Sequence, residues 1–86
     1  MIKLSKHVVI AKLDDGWVAF EGEKEQLYEF NEVGGLVLWL IQEGMEEVGE
    51  IVEKIRFEFG VEEKQVKQDV NSFLKEMERE GLVVNF

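Results

Sequence analysis

The first third of the chain alternates apolar and polar residues, which is the period of a strand with one face buried. This pattern predicts three strands at Val8–Leu13, Trp17–Glu21 and Gln26–Phe30. Only short polar segments separate them, so neighbouring strands are expected to run antiparallel. We therefore predict a three-stranded antiparallel sheet at the N-terminal end of the fold.

The segment Asp14-Asp15-Gly16 sets the register of the first two strands. A two-residue type I′ turn at Asp15–Gly16 would pair Leu13 with Val18. Five apolar side chains then share one face, which we assign to the core: Val9, Ala11, Leu13, Val18 and Phe20. The other face is expected to lie mostly in water and carries Ile10, Lys12, Asp14, Trp17, Ala19 and Glu21. Two roles remain open for Trp17 there, a contact with a partner or a cross-strand cover for Ile10 or Lys12.

The segment from Leu27 to Gly44 organises the rest of the chain, because it passes directly from the third strand into an apolar helix. Asn31 suits the N-cap position. Nearly every residue from Val33 to Ile41 is apolar, which predicts a buried helix. Gly44 can end that helix in the left-handed conformation.

Two amphipathic helices are predicted after the buried one, over Glu46–Phe59 and Glu62–Glu80, with Gly60 and Gly81 at their ends. The last residues, Leu82–Val84, either add a short strand or cover the core. The expected fold is one α+β domain over residues 1–86, in which the sheet is followed by three helices.

Composition excludes several classes of protein. The 86 residues contain no cysteine, so disulfides, thiol catalysis and thiolate metal sites are absent, and a cytoplasmic location is expected. The net charge of −9 counts against binding to nucleic acid or to an anionic membrane. The longest apolar run is far shorter than the roughly 20 residues that span a bilayer, and no signal peptide is evident.

The side chains that could carry out chemistry favour a binding module over an enzyme. The only histidine, His7, stands at the start of the first predicted strand, and no nucleophile–base pair is evident. The acidic residues match no metal-binding motif, and we expect neither a metal nor a cofactor. Gly34-Gly35 lies within a predicted helix, where close packing is a better explanation than a phosphate cradle.

The segment YEFNEVGGLVLWLIQEG resembles the strand-to-helix signature of the PqqD-like proteins, in which an aromatic strand enters a Leu-Asn-x-x-Gly-x-x-x-Trp helix. Phe30 stands where leucine is usual, followed by Asn31, Gly34 or Gly35, and Trp39. The resemblance extends over roughly Val8 to Val84. It implies a winged helix-turn-helix-like fold that serves as a RiPP recognition element, a non-catalytic domain that binds the leader segment of a ribosomally made precursor peptide.

In that family the leader binds between the third strand and the third helix. The resemblance and the predicted strand edge together select eight candidate site residues: Leu27, Tyr28, Glu29, Phe30, Lys67, Val70, Asn71 and Leu74. Leu74 is the candidate for the pocket floor, whereas Val66, Val70 and Phe73 at such positions are more often plain core residues. The implied partners are the precursor peptide and a modifying enzyme, by analogy a radical S-adenosylmethionine (SAM) protein, although relatives also serve cyclodehydratases and lasso leader peptidases. A monomer or a homodimer is compatible with this interpretation.

Two other classes share the predicted fold, a winged-helix transcriptional regulator and a protein-interaction scaffold. A regulator of this type inserts a basic recognition helix into the major groove. The last predicted helix instead carries six acidic and four basic residues, which disfavours contact with DNA.

Overall fold

Five strands and three helices make up the protein in the computed structural model, which describes residues 1–86. Two strands come first, β1 (Ile2–Leu4) and β2 (Val8–Leu13), followed by β3 (Gly16–Glu21) and β4 (Gln26–Phe30). The helices α1 (Glu32–Gln42), α2 (Val48–Phe59) and α3 (Glu63–Arg79) precede a last strand, β5 (Val83–Asn85). None of the helices combines the length and the apolar character that crossing a bilayer requires.

Strands β2, β3 and β4 form the predicted three-stranded antiparallel sheet in that order. The predicted register of the first two strands is wrong, however. Leu13 pairs with Gly16 and Ala11 with Val18, so the two turn residues are Asp14 and Asp15. Each residue of β2 therefore faces a partner two positions from the predicted one. A shift of two preserves the side-chain alternation, and the composition of each face is as predicted.

The predicted choice of the core face is also wrong. Val8, Ile10, Trp17 and Ala19 are buried, whereas Val9, Leu13 and Phe20 are among the exposed large apolar residues. Both faces carry apolar side chains, and the side on which α1 packs decides between them. Trp17 is 7% exposed and belongs to the core. The cross-strand role fits it better than a partner contact, because Lys12 pairs with it and Lys12 Nζ lies 5.3 Å from its ring centroid.

The first helix is positioned by a cap and by two glycines, as its sequence suggested. The Asn31 side chain accepts a hydrogen bond of 2.9 Å from Gly34 N, so it caps the helix. Gly34 and Gly35 are buried and lie against aromatic rings of other elements, Phe73 for Gly34 and Trp17 for Gly35. Close packing is thus the role of this glycine pair, and it holds α1 directly on the sheet.

The helices end at the glycines predicted from the sequence. Met45 N donates to Leu40 O and Leu82 N donates to Met77 O, which is the six-to-one bond of a Schellman ending. The second and third helices start one or two residues later than predicted. The buried stripe of α3 contains Leu74, whereas Phe73 is only half-buried, which is the reverse of the roles expected for these two neighbours.

The chain termini form a second, two-stranded antiparallel sheet, in which β1 pairs with β5. The last residues therefore both form a strand and cover the core. Val83 pairs with Leu4, and Val83 and Leu82 are fully buried. Strand β1 was not predicted. It has three residues and a partner about 80 positions away, so no local pattern announces it.

Candidate functional site

One edge of the three-stranded sheet is closed by a side chain. Gln42, the last residue of α1, pairs its amide with the backbone of Ile10 on the outer edge of β2. Ile10 N donates to Gln42 Oε1 at 2.7 Å, and Gln42 Nε2 donates to Ile10 O at 3.1 Å. Val8 N, also on this edge, donates to Ser5 O. Because these groups are already satisfied, the first half of β2 is a poor template for another strand.

The opposite edge, formed by β4, is open. Backbone groups in an antiparallel sheet point alternately to the two neighbouring strands. Since Ile10 directs its N–H and C=O away from β3, its partner Ala19 directs its own toward β4, where it pairs with Tyr28. Leu27 and Glu29, on either side of Tyr28, therefore direct their N–H and C=O groups away from β3. No hydrogen bond within the protein satisfies these groups.

An apolar cleft lies beside this open edge, between the end of β4, the start of α1 and the middle of α3. The rings of Phe30 and Phe73 meet at its floor in an edge-to-face arrangement, with centroids 5.8 Å apart and planes at 85°. The cleft has a volume of about 500 Å³. Nine residues line it: Glu29, Phe30, Asn31, Val33, Gly34, Val37, Asp69, Val70 and Phe73.

The one charged side chain that borders this cleft is acidic. Asp69 is exposed and no lysine or arginine is among the lining residues, whereas the Glu29 side chain lies on the outer face of the sheet with its carboxylate away from the cleft. An open strand edge beside an apolar cleft is suited to an extended peptide, whose backbone pairs with the edge while alternate side chains enter the cleft. Asp69 would favour a peptide with a basic side chain near the apolar one.

Three of the eight residues proposed from the sequence line this cleft: Glu29, Phe30 and Val70. Leu27 and Tyr28 belong to the open strand, but the Leu27 side chain lies on the face away from the helices, and the exposed hydroxyl of the half-buried Tyr28 donates to Gln26 Oε1. Leu74 is only 4% exposed and lies in the core, so it is not the floor of the cleft.

The other two proposed residues, Lys67 and Asn71, lie on the exposed surface of α3. Asn71 Nδ2 donates to Lys67 O one turn earlier in the helix. Both residues border a separate shallow depression formed entirely by polar side chains of α3. They are thus near the cleft wall without lining it.

Sequence reasoning missed six lining residues: Asn31, Val33, Gly34, Val37, Asp69 and Phe73. Most of them belong to the first turns of α1, which had been assigned only to the core. The signal that could have found them is Gly34. A Cβ built on Gly34 would lie 3.1 Å from Phe73 Cε1, so this glycine leaves room for the aromatic floor.

The structure contains no group of three or more His, Cys, Asp or Glu side chains that could hold a metal ion. The candidate site consists of hydrogen-bonding backbone groups, apolar side chains and the Asp69 carboxylate. These groups are typical of peptide recognition.

Two solved structures share the fold over nearly the whole chain. One is described as TbiB1 in complex with the TbiA(beta) leader peptide, with a TM-score of 0.86 and 28% identity, over 98% of this chain and 96% of that one. The other, lasso peptide synthetase B1 complexed with the leader peptide, has a TM-score of 0.82 and 17% identity, and it covers 96% of each chain. At that identity the second similarity is evidence for the fold alone.

None of the curated protein sequences is significantly similar to this chain. A family model, in contrast, matches residues 16–83, from the start of β3 to the first residue of β5. Its description is coenzyme PQQ synthesis protein D (PqqD). The match includes the open strand, the cleft and all three helices, and the chain belongs to the PqqD family.

Proposed function

We infer that this protein binds the leader segment of a ribosomally synthesised precursor peptide and presents it to a modifying enzyme. The observation that carries this function is the open edge of β4 beside the apolar cleft, in a sheet whose other edge is closed by Gln42. Membership of the PqqD family supports it. So does the similarity to TbiB1, whose structure was solved with a leader peptide.

Binding would occur by strand addition. The leader would pair with the outward N–H and C=O groups of Leu27 and Glu29 and become a fourth strand next to β4. Peptide residues opposite Tyr28 and Phe30 would place their side chains on the inner face, toward the cleft. Backbone pairing would provide affinity with little dependence on sequence, and the cleft would select an apolar or aromatic side chain.

The proposed contacts of the eight candidate residues differ. Leu27 and Glu29 would pair with the peptide through their backbones, and Phe30 and Val70 would contact its side chains in the cleft. Tyr28, which pairs inward with β3, holds Leu27 and Glu29 in position. Lys67 and Asn71 lie where a peptide that extends beyond the cleft along α3 would meet them. Leu74 acts indirectly, since it holds α3 against the core.

By analogy with the family, a radical SAM protein is the enzyme that receives the peptide. A cyclodehydratase or a lasso leader peptidase would receive it from the domain in the same way. We place the domain in the cytoplasm, where the precursor is made, and assign it no catalytic role. The gene beside the precursor gene would identify the enzyme.

A calorimetric titration with the leader encoded by the neighbouring precursor gene tests the proposed function. We expect saturable binding, together with slower hydrogen exchange of the Leu27 and Glu29 amides, because the added strand gives them partners. A scrambled leader of the same composition serves as the control. Binding without any new protection at these two amides would mean that the peptide uses another surface.

A further inference from the structure

The three-stranded sheet has an apolar surface on the side that faces away from the helices. Val9, Phe20 and Leu27 lie side by side across the three strands and form what we name the outer row. Their exposures are 60%, 45% and 63%, so three large apolar side chains meet water together. Leu13, two residues along β2 from Ala11, is 50% exposed on the same face.

No element of the chain covers this face, because α1 packs on the other one. Isolated exposed apolar residues are common on proteins and need no explanation. A contiguous group on a flat sheet is different, since extended apolar patches on small proteins mark sites of interaction. The outer row also explains why the wrong face of the sheet was predicted to be the core. Its large apolar residues alternate along the strands as those of a buried face do.

We propose that the outer row is the docking surface for the modifying enzyme, and that the enzyme meets it with an apolar patch bordered by basic side chains. This inference rests on the proposed function. A leader strand paired with β4 would extend the same sheet, and its residue opposite Leu27 would continue the outer row. An enzyme bound to this face would contact the recognition domain and the bound peptide at the same time. The domain would thereby bring the peptide to the enzyme.

The charge around the outer row selects the type of partner. Glu29 lies on the same face as the row, Asp14 and Asp15 form the turn at one end of the sheet, and Glu23 and Glu25 are in the loop at the other end. A second copy of this chain would bring the same acids against these, at a net charge of −9 for each chain. A partner with basic side chains around its apolar patch is attracted instead.

The test uses the modifying enzyme encoded beside the precursor gene, immobilised for interferometry, with the full-length domain as analyte. The variant Val9→Thr/Phe20→Thr removes the outer row's apolar side chains from β2 and β3. Threonine is β-branched and is well tolerated in strands. The matched control, Phe57→Thr/Val61→Thr, removes the same two residue types from exposed positions outside the sheet, where Phe57 is 83% exposed. Circular dichroism checks the fold of each protein.

We expect the outer-row variant to bind the enzyme at least tenfold more weakly, while its affinity for the leader stays within twofold of the parent value. The control should match the parent in both measurements, and added salt should weaken enzyme binding. Unchanged enzyme affinity in the folded outer-row variant would overturn the proposal. If that variant fails to fold, the single variant Phe20→Thr, at the centre of the outer row, replaces it under the same criteria.

Two further outcomes would assign the surface differently. Concentration-dependent dimerisation of the parent, lost in the outer-row variant, would make a second copy the occupant. Loss of leader affinity in the variant would make the peptide itself the occupant. A parent protein that binds no leader would refute the proposed function instead, and the enzyme titration would still decide the role of the outer row.

Discussion

The backbone of Gly35 lies directly against the indole of Trp17. A Cβ built on Gly35 would be 1.9 Å from Trp17 Cγ and 2.3 Å from Trp17 Cβ, which is closer than any non-bonded carbon pair. Only glycine therefore allows α1 to approach the sheet this closely. The contact fixes the start of α1 over β3, and with it the position of Gly34 at the cleft.

Gly35→Ala is expected to destabilise the protein by roughly 3 kcal/mol or more, a large share of the stability of a small domain. The clash involves the base of the indole, which cannot move away without displacing the whole side chain. Chemical denaturation measures the loss. Gly49→Ala is the control, because a Cβ at Gly49 meets no atom within 4 Å and this helix position should gain up to about 1 kcal/mol.

Equal stability of Gly35→Ala and Gly49→Ala would contradict the packing of α1 on Trp17. Circular dichroism in the near ultraviolet adds a second criterion. Trp17 and Trp39 have ring centroids 5.8 Å apart, so a displaced α1 changes the tryptophan signal even where the domain remains folded.

Strands β2, β3 and β4 and the three helices were predictable because each has its own local signal, which β1 lacks. Asn31 caps α1, and the period of the apolar residues changes from that of strands to that of helices after Phe30. The choice of the core face had no such signal, since both faces of β2 and β3 carry apolar residues. Tyr28 and Phe30 offered a clue, because they share a face with Ala19 and Trp17 once β3 and β4 are paired.

Leu74 and Phe73 are expected to behave differently although they are neighbours in α3. Leu74→Ala should cost about 2–5 kcal/mol of stability, because it removes a buried core side chain. Phe73→Ala should cost less, since Phe73 is half-buried, and should weaken leader binding about tenfold through loss of the cleft floor. Denaturation and calorimetry on both variants separate the two effects. A Phe73→Ala variant with full leader affinity would exclude the cleft from peptide binding.

The candidate site was only partly predictable from the sequence. The open strand was predicted, because three strands in a meander leave two edges. The sequence did not reveal that Gln42 closes the other edge, since this contact joins residues 32 positions apart. Phe73 was likewise assigned to the core and Leu74 to the site, because a stripe of apolar residues on a helix does not show where the sheet stops covering it.

Gln42→Leu is expected to destabilise the protein by about 1–3 kcal/mol, because it leaves the N–H and C=O of Ile10 without partners at a partly buried edge. The Ile10 amide should exchange faster with solvent. The opened β2 edge should also increase self-association in sedimentation experiments. Gln65→Leu is the control, since Gln65 is exposed and its side chain bonds only to Asp69. Unchanged exchange at Ile10 would show that Gln42 does not close this edge.

Proline at Glu29 tests the peptide-binding edge itself. Glu29 directs its N–H away from β3, so Glu29→Pro removes a donor that only an added strand would use, and an edge strand tolerates proline at such a position. We expect a folded protein that binds the leader at least tenfold more weakly in calorimetry. Lys12→Pro is the matched control, because Lys12 also directs its N–H outward, on the opposite edge of the sheet.

The pair of proline variants distinguishes strand addition from other ways of binding the leader. Loss of affinity in Glu29→Pro but not in Lys12→Pro is expected only where the peptide pairs with β4. Tyr28→Pro should instead weaken the sheet, since Tyr28 donates inward to β3, and its loss of stability provides a check on the assigned backbone directions. Equal leader affinity of the two outward-facing variants, both folded by circular dichroism, would exclude pairing at Glu29 and leave the cleft as the main contact.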